Sequence, residues 1–199
     1  MQEIETEIAV SLNFKHYSRK PGIVVDSRTN EEYIYDSLDT KILVYEDRVA
    51  GWFFRYGKHL QSHHDAGFVV LQVALAQIEG IEQYRRGQSS ENKSGLFFRE
   101  GLKRIFGLDE SSDNWLKVFY TLVRCGLFHD GMTRTQVWIE NRFDVPLAYD
   151  GTHIQISPNK FLDAVIEDFT QYIAELKNPL NVGLREAFRR EWDLRCSVQ

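Results

Sequence analysis

Arg124 and His129 are the residues of this chain best suited to act together on a phosphate. A histidine takes up or releases a proton near neutrality. An arginine grips a phosphate through two parallel N–H donors and stabilises negative charge that builds there. The pair lies in the run Val123-Arg124-Cys125-Gly126-Leu127-Phe128-His129-Asp130-Gly131. As a bare pattern the spacing says little. The setting says more. Arg124 falls at the C-terminal end of an amphipathic helix, Gly126 can adopt a left-handed cap directly after it, and His129 follows in a turn bounded by Gly131. On residue type alone, Arg124 also reads as a helix-end cation complementing the dipole, and His129 as an ordinary turn residue.

The elements that must position this pair are mostly helical. After Ser37, the residues Leu38, Ile42, Tyr45, Val49, Trp52, Tyr56 and Leu60 recur at steps of three or four, which predicts a helix of about 25 residues with Ser37 as N-cap. A second helix is expected from Ala66 to Arg86, with Phe68, Leu71, Ala74, Leu75, Ile78 and Ile81 as its stripe and Gly87 as its stop. Ser94 reads as the cap of a helix ending at Gly107. The next helix starts near Ser111, Ser112 and Asp113, carries Trp115, Val118, Phe119, Leu122 and Val123 inward, and runs out near Cys125-Gly126. Val137-Trp138-Ile139 and His153-Ile154-Gln155-Ile156 read as two short strands around a loop with Pro146 and Gly151. Pro158 opens a helix to Leu176, Pro179 ends it, and a last helix starts near Val182.

The 199 residues suit one domain with a proper core. Residues 1–37 read as an N-terminal extension, Ile4 and Ile8 fitting either period, with a short hairpin at Gly22–Val25 and Tyr33–Tyr35. Residues 38–199 read as one helical domain. The expected fold class is therefore mostly α: a helical bundle with a small β-hairpin insertion. The net charge of −5 excludes a generally basic nucleic-acid coat, though not a local basic site. No run of apolar residues is long enough for a transmembrane helix, so no membrane is expected. Glu3, Glu5 and Glu7 crowd the first ten residues, so a secretory leader is not expected either. With only Cys125 and Cys196, no disulfide framework is read, and the cytoplasm is the simplest compartment.

The run from Arg124 to Gly131, following an amphipathic helix, resembles the HEPN superfamily (higher eukaryotes and prokaryotes nucleotide-binding domains), whose hallmark is an Arg-x(4–6)-His motif late in a core helix. The long helices carrying Trp52-Phe53-Phe54 and Ile78-Glu79-Gly80-Ile81-Glu82 are similar to the preceding part of such a domain, and the resemblance covers roughly residues 38 to 176. It implies an antiparallel HEPN-like bundle that dimerises two-fold and brings two motifs together. It further implies a metal-independent endoribonuclease without cofactor, acting on RNA and not DNA, with Arg124 and His129 catalytic and the 2′-OH as internal nucleophile. A role as a toxin or in defence against phage, with an antitoxin protein as partner, is implied by the same resemblance. Many active members carry Asn, Asp or His after the motif Arg, whereas this chain has Cys125. That departure suits the alternative, a catalytically inactive HEPN-like module that binds RNA, a nucleotide or a protein.

Other residues join as supporting candidates. Glu79 and Glu82, three apart on one helix, are placed to orient Arg124 or His129, or to form a solvated face. Cys125 is a further supporting position, and equally a small buried residue. Arg85, Arg86 and Arg134 are candidate RNA contacts; a helix-end role suits the first two as well. Trp52, Phe53, Phe54 and Tyr56 can stack bases, although their helical spacing better suits core and dimer packing. His59 and His63, at i and i+4, form a rival metal constellation needing Asp65 or His153 as third ligand. They lack the glutamate of an HExxH arrangement, and no metal site is assigned.

Overall fold

A computed structural model describes residues 6–196; Ile4, with the rest of the first five residues, and the last three lie outside the described residues. The chain opens with a four-stranded antiparallel meander, β1 (Glu7–Ala9), β2 (Phe14–Tyr17), β3 (Ile23–Asp26) and β4 (Glu32–Ile34), in that spatial order. The hairpin read between Gly22 and Tyr35 forms β3 and β4, with Ile23 opposite Ile34. Its turn is set by Asp26, whose carboxylate accepts the Arg28 backbone N–H at 2.9 Å and pairs with the Arg28 side chain. That pairing holds the Asp26 carboxyl below its ordinary range.

The meander is fastened to the first helix rather than hanging from it. Helix α1 (Leu38–Val49) presents Asp47, which accepts from Asn13 N at 2.7 Å, Asn13 Nδ2 at 2.6 Å and the Ser11 hydroxyl. Arg48 donates to the Val10 carbonyl through two nitrogens, at 3.0 and 2.9 Å. Phe14 and Val24 enter the main core.

Ser37 caps α1, its hydroxyl accepting from Thr40 N at 3.2 Å. The expected long helix is present but not uniformly wound. A π-helical turn over Ala50–Phe54 joins α1 to α2 (Arg55–Leu60). This widened turn falls where Leu12 reaches the helix: a Cβ on Gly51 would lie 2.6 Å from the Leu12 side chain. Helix α3 (Gly67–Arg86) is central and packs on α4 (Ser94–Phe106), α6 (Pro158–Lys177) and α7 (Val182–Cys196). Val70, Leu71, Ala74, Leu75, Ile78 and Ile81 are its buried stripe, while Phe68, expected inside, is exposed. Gly87 ends α3 at φ 62°, and a Cβ there would strike the Ala187 carbonyl. Ser94 is not a cap: Lys93 holds the N-cap position, without a side-chain bond, and Ser94 is already helical.

After a 3₁₀ turn at Glu110–Ser112 comes α5 (Asp113–Phe119), which passes without a break into an eleven-residue π-helix, Tyr120–Asp130. Val118 on α5 faces solvent, against expectation. The expected β-hairpin insertion is instead a three-stranded mixed sheet of β5 (Val137–Ile139), β6 (Leu147–Tyr149) and β7 (Ile154–Ile156) in the order β5-β7-β6. β5 and β7 run parallel, so they cannot form a hairpin. β6, from the intervening loop, pairs antiparallel with β7.

An aromatic cluster joins three helices: Tyr45 of α1, Tyr84 of α3, and Phe188 and Trp192 of α7, with Tyr45–Tyr84 centroids 4.4 Å apart. The architecture is mostly α. Among the described residues no helix is long and apolar enough to cross a membrane.

Candidate functional site

Arg124 and His129 both lie inside the π-helix, not astride a helix end. The winding matters. In an α-helix, residues five apart point about 140° away from each other. A π-helix bonds i→i+5 in a wider turn, so residue i+5 deviates less from the direction of residue i than it would in an α-helix. The wide winding therefore turns His129 closer to the side of Arg124 than an α-helix would. Gly126 is not a left-handed cap, as its position in the sequence suggested; that role falls to Gly131, at φ 69°. Gly126 is required for a different reason. The chain folds back so closely after Gly131 that a Cβ on Gly126 would lie 2.6 Å from the Met132 carbonyl oxygen. The Gly131 and Met132 amides both donate to the Gly126 carbonyl. Gly126→Ala is thus expected to cost about 1–3 kcal/mol and to shift the turn after His129. A denaturation midpoint checks the first effect, and the amide chemical shifts of the turn after His129 check the second.

Arg124 is half-buried and held from three sides. Its Nη2 donates to Glu79 Oε2 at 3.4 Å. Its guanidinium lies 4.7 Å from the Phe128 ring centroid and 5.7 Å from that of Tyr120. Glu79 is itself fixed, since its other oxygen accepts from the Ser90 hydroxyl. Burial pushes the Tyr120 phenol upward; the Arg124 guanidinium opposes this, and Cys125 and Glu79 add to the rise. Gln72 of α3 donates to the Leu127 carbonyl at 3.2 Å and ties the π-helix down. His129 is exposed and makes no hydrogen bond, ion pair or ring contact to any described residue, so both ring nitrogens are open to a ligand. Cys125 is a half-buried free thiol.

The other candidates are dispersed. Glu82 does not reach the motif: it pairs with Arg86 at 2.5 Å and Arg104 at 3.3 Å. Arg85 binds Glu175 at 3.2 Å and stacks over Tyr172 at 4.4 Å; Arg86 also meets Glu100 at 3.7 Å and lies over Phe97. The rim read from Arg85 and Arg86 is therefore an internal ion network, because α4 and α6 bring carboxylates that are remote in sequence. Arg134 is exposed and pairs with Asp130, next to His129, at 3.4 Å. His59 and His63 do not share a helix face, since α2 ends at Leu60; their rings are 5.8 Å apart, and His153 stacks on Trp138 instead. Among the described residues no group of three His, Cys, Asp or Glu is placed to hold a metal ion. A cleft of about 420 Å³ between the α2–α3 turn and β5 is lined by His64, Asp65, Phe68 and Asn141, and by neither motif residue.

Sequence reasoning missed Tyr120, Phe128, Gln72 and Ser90. The first two stand four residues either side of Arg124, a spacing that brings helix side chains together and was available to inspection. Ser90 and Gln72 carry no such signal. No family model matches the chain, and no curated protein or solved structure matches it either.

Proposed function

We propose that the chain is an HEPN-like endoribonuclease that cleaves RNA without a metal, with Arg124 as phosphate clamp and His129 as acid–base group. The observation that carries this reading is the arrangement in the π-helix: Glu79 and two aromatic rings hold the Arg124 guanidinium in place, and an exposed His129, with no polar partner among the described residues, lies in the same helix. His129 takes the proton from the ribose 2′-OH. The 2′-oxygen forms a bond to phosphorus while the bond to the 5′-oxygen breaks. Arg124 binds the non-bridging oxygens and stabilises the pentacoordinate centre. A second copy's motif supplies the protonated imidazole for the departing 5′-oxygen. The products are a 2′,3′-cyclic phosphate and a 5′-hydroxyl.

The reading requires a two-fold dimer. Val69 and Ala76 of α3 and Phe128 and Met132 of the motif segment are exposed apolar residues that support one. The test is labelled RNA in chelator with the parent, Arg124→Ala and His129→Ala, alongside a sedimentation mass. Cleavage by a dimeric parent alone supports the reading. Tight RNA binding without turnover favours the inactive module, which Cys125 suits.

Glu79 acts here as a positioning residue. A hydrogen bond to a charged group contributes about 1.5–3 kcal/mol. Glu79→Ala is therefore expected to lower kcat by about 10- to 100-fold, and Glu79→Gln to recover part of the loss, with KM less affected than kcat. Equal kcat in all three proteins would remove Glu79 from the mechanism.

A further inference from the structure

From Arg48 to His64 the chain contains no Asp or Glu, although it carries 29 acidic residues against 24 Lys and Arg overall. Within that stretch lie Arg48, Arg55, Lys58, His59, His63 and His64. The structure turns part of it into one exposed face. Phe54 is buried, but Trp52 and Phe53 are each 39% exposed and Tyr56 53% exposed. Arg55, Tyr56 and His59 share one side of α2, and exposed Trp52 stands just before them in the π turn.

The polar groups on this face decide what it fits. Arg55 makes no ion pair among the described residues; its guanidinium lies 5.9 Å from the Tyr56 ring centroid. Arg48 sits 6.0 Å from the Trp52 ring centroid and spends its N–H donors on the Val10 carbonyl. Lys58 is the one cation here joined to an acid, Asp163 of α6, at 2.9 Å. Covering Arg55 with an apolar protein surface would strip water from an uncompensated charge. A polyanion that also carries flat rings meets both features: phosphates neutralise Arg55, and bases stack on Trp52 and Tyr56.

The face is tied to the motif through one helix. Gln72 and Glu79 of α3 meet the motif helix, whereas Val73 of α3 meets Gly57 of α2. The motif helix and the helix that bears the aromatic face thus both pack on α3.

We propose that Trp52, Arg55, Tyr56 and His59 form a binding face for single-stranded RNA, which holds substrate nucleotides away from the cut. This rests on the RNA-cleaving reading above. The probe is a labelled oligouridylate, which has little structure of its own, titrated into full-length His129→Ala so that the strand stays whole. Trp52→Ala and Tyr56→Ala are each expected to weaken binding by about tenfold or more. Trp52→Phe should stay close to the parent. Arg55→Gln should flatten the slope of log affinity against log salt by about 0.7. In the otherwise unchanged protein, Trp52→Ala should raise KM for the long RNA and leave dinucleotide cleavage as it was.

Unchanged oligouridylate affinity in Trp52→Ala, Tyr56→Ala and Arg55→Gln would overturn the proposal. So would a loss of self-association in these variants with RNA affinity retained, since the face would then bind protein. The two readings fail separately. If the parent cleaves RNA but these variants bind like it, only the face is wrong. If RNA binding depends on Trp52 and Tyr56 but no protein cleaves, only the catalytic reading is wrong.

Discussion

His129→Ala is expected to reduce metal-free RNA cleavage by about 10²- to 10⁴-fold while leaving the protein as stable as before. The activity loss follows from its proposed role, because the motif holds a single imidazole, the side chain suited to acid–base work. The unchanged stability follows from its surroundings. His129 is exposed and touches no described partner, so its removal leaves no cavity and no unpaired group. Surface changes of this kind fall within about 0.5 kcal/mol. Initial cleavage rates and a thermal melt on one preparation check both halves. A large fall in melting temperature would mean that the imidazole is a structural group.

Trp192→Ala should do the reverse and damage the fold. Trp192 is fully buried in the cluster that joins α1, α3 and α7: its ring lies 5.8 Å from Phe188 and 6.4 Å from Tyr45, with the Arg48 guanidinium 5.3 Å away. Truncating a buried Trp to Ala costs about 3–5 kcal/mol, against a whole-domain stability of about 5–15 kcal/mol. The urea midpoint should fall accordingly, with the slope unchanged. A cost below about 1 kcal/mol would mean that α7 is not part of the cooperative core. Arg195, near the end of the same helix, reaches both Glu191 and Gln83 of α3, so a loosened α7 would also expose that polar seam.

The helices with one clean apolar stripe were readable from spacing alone. Gly87 and Gly107 mark two helix ends as left-handed caps, and Pro158 opens α6 at its first position. What spacing does not reveal is winding. Tyr120–Asp130 keeps apolar residues at plausible helical intervals, so Gly126 looks like a stop, yet the helix continues in wider turns. The glycine answers to the Met132 carbonyl pressed against it, a tertiary contact with no local signature. Trp52 and Phe53 look like core for the same reason: the π turn at Ala50–Phe54 rotates them outward and keeps Phe54 inside. β6 is three residues in a loop with Pro146 and Gly151 on either side, too short for a period to show.

The candidate site is written in its residue types, while its wiring is not. Glu79 and Glu82 are equivalent by sequence, one turn apart on the same helix. The fold separates them, sending Glu79 to Arg124 and Glu82 to Arg86 and Arg104. Arg85 and Arg86 resemble a basic rim only until the carboxylates of Glu175 and Glu100 arrive from distant segments.

The end groups left on cut RNA test the central claim most directly. With end-labelled RNA, its 2′-deoxy counterpart and a chelator present, the parent should leave a 2′,3′-cyclic phosphate and a 5′-hydroxyl on RNA alone, and Arg124→Ala and His129→Ala should leave the strand intact. Equal cutting by both variants, cutting of the deoxy strand, or a product with a 3′-hydroxyl and a 5′-phosphate would contradict the account.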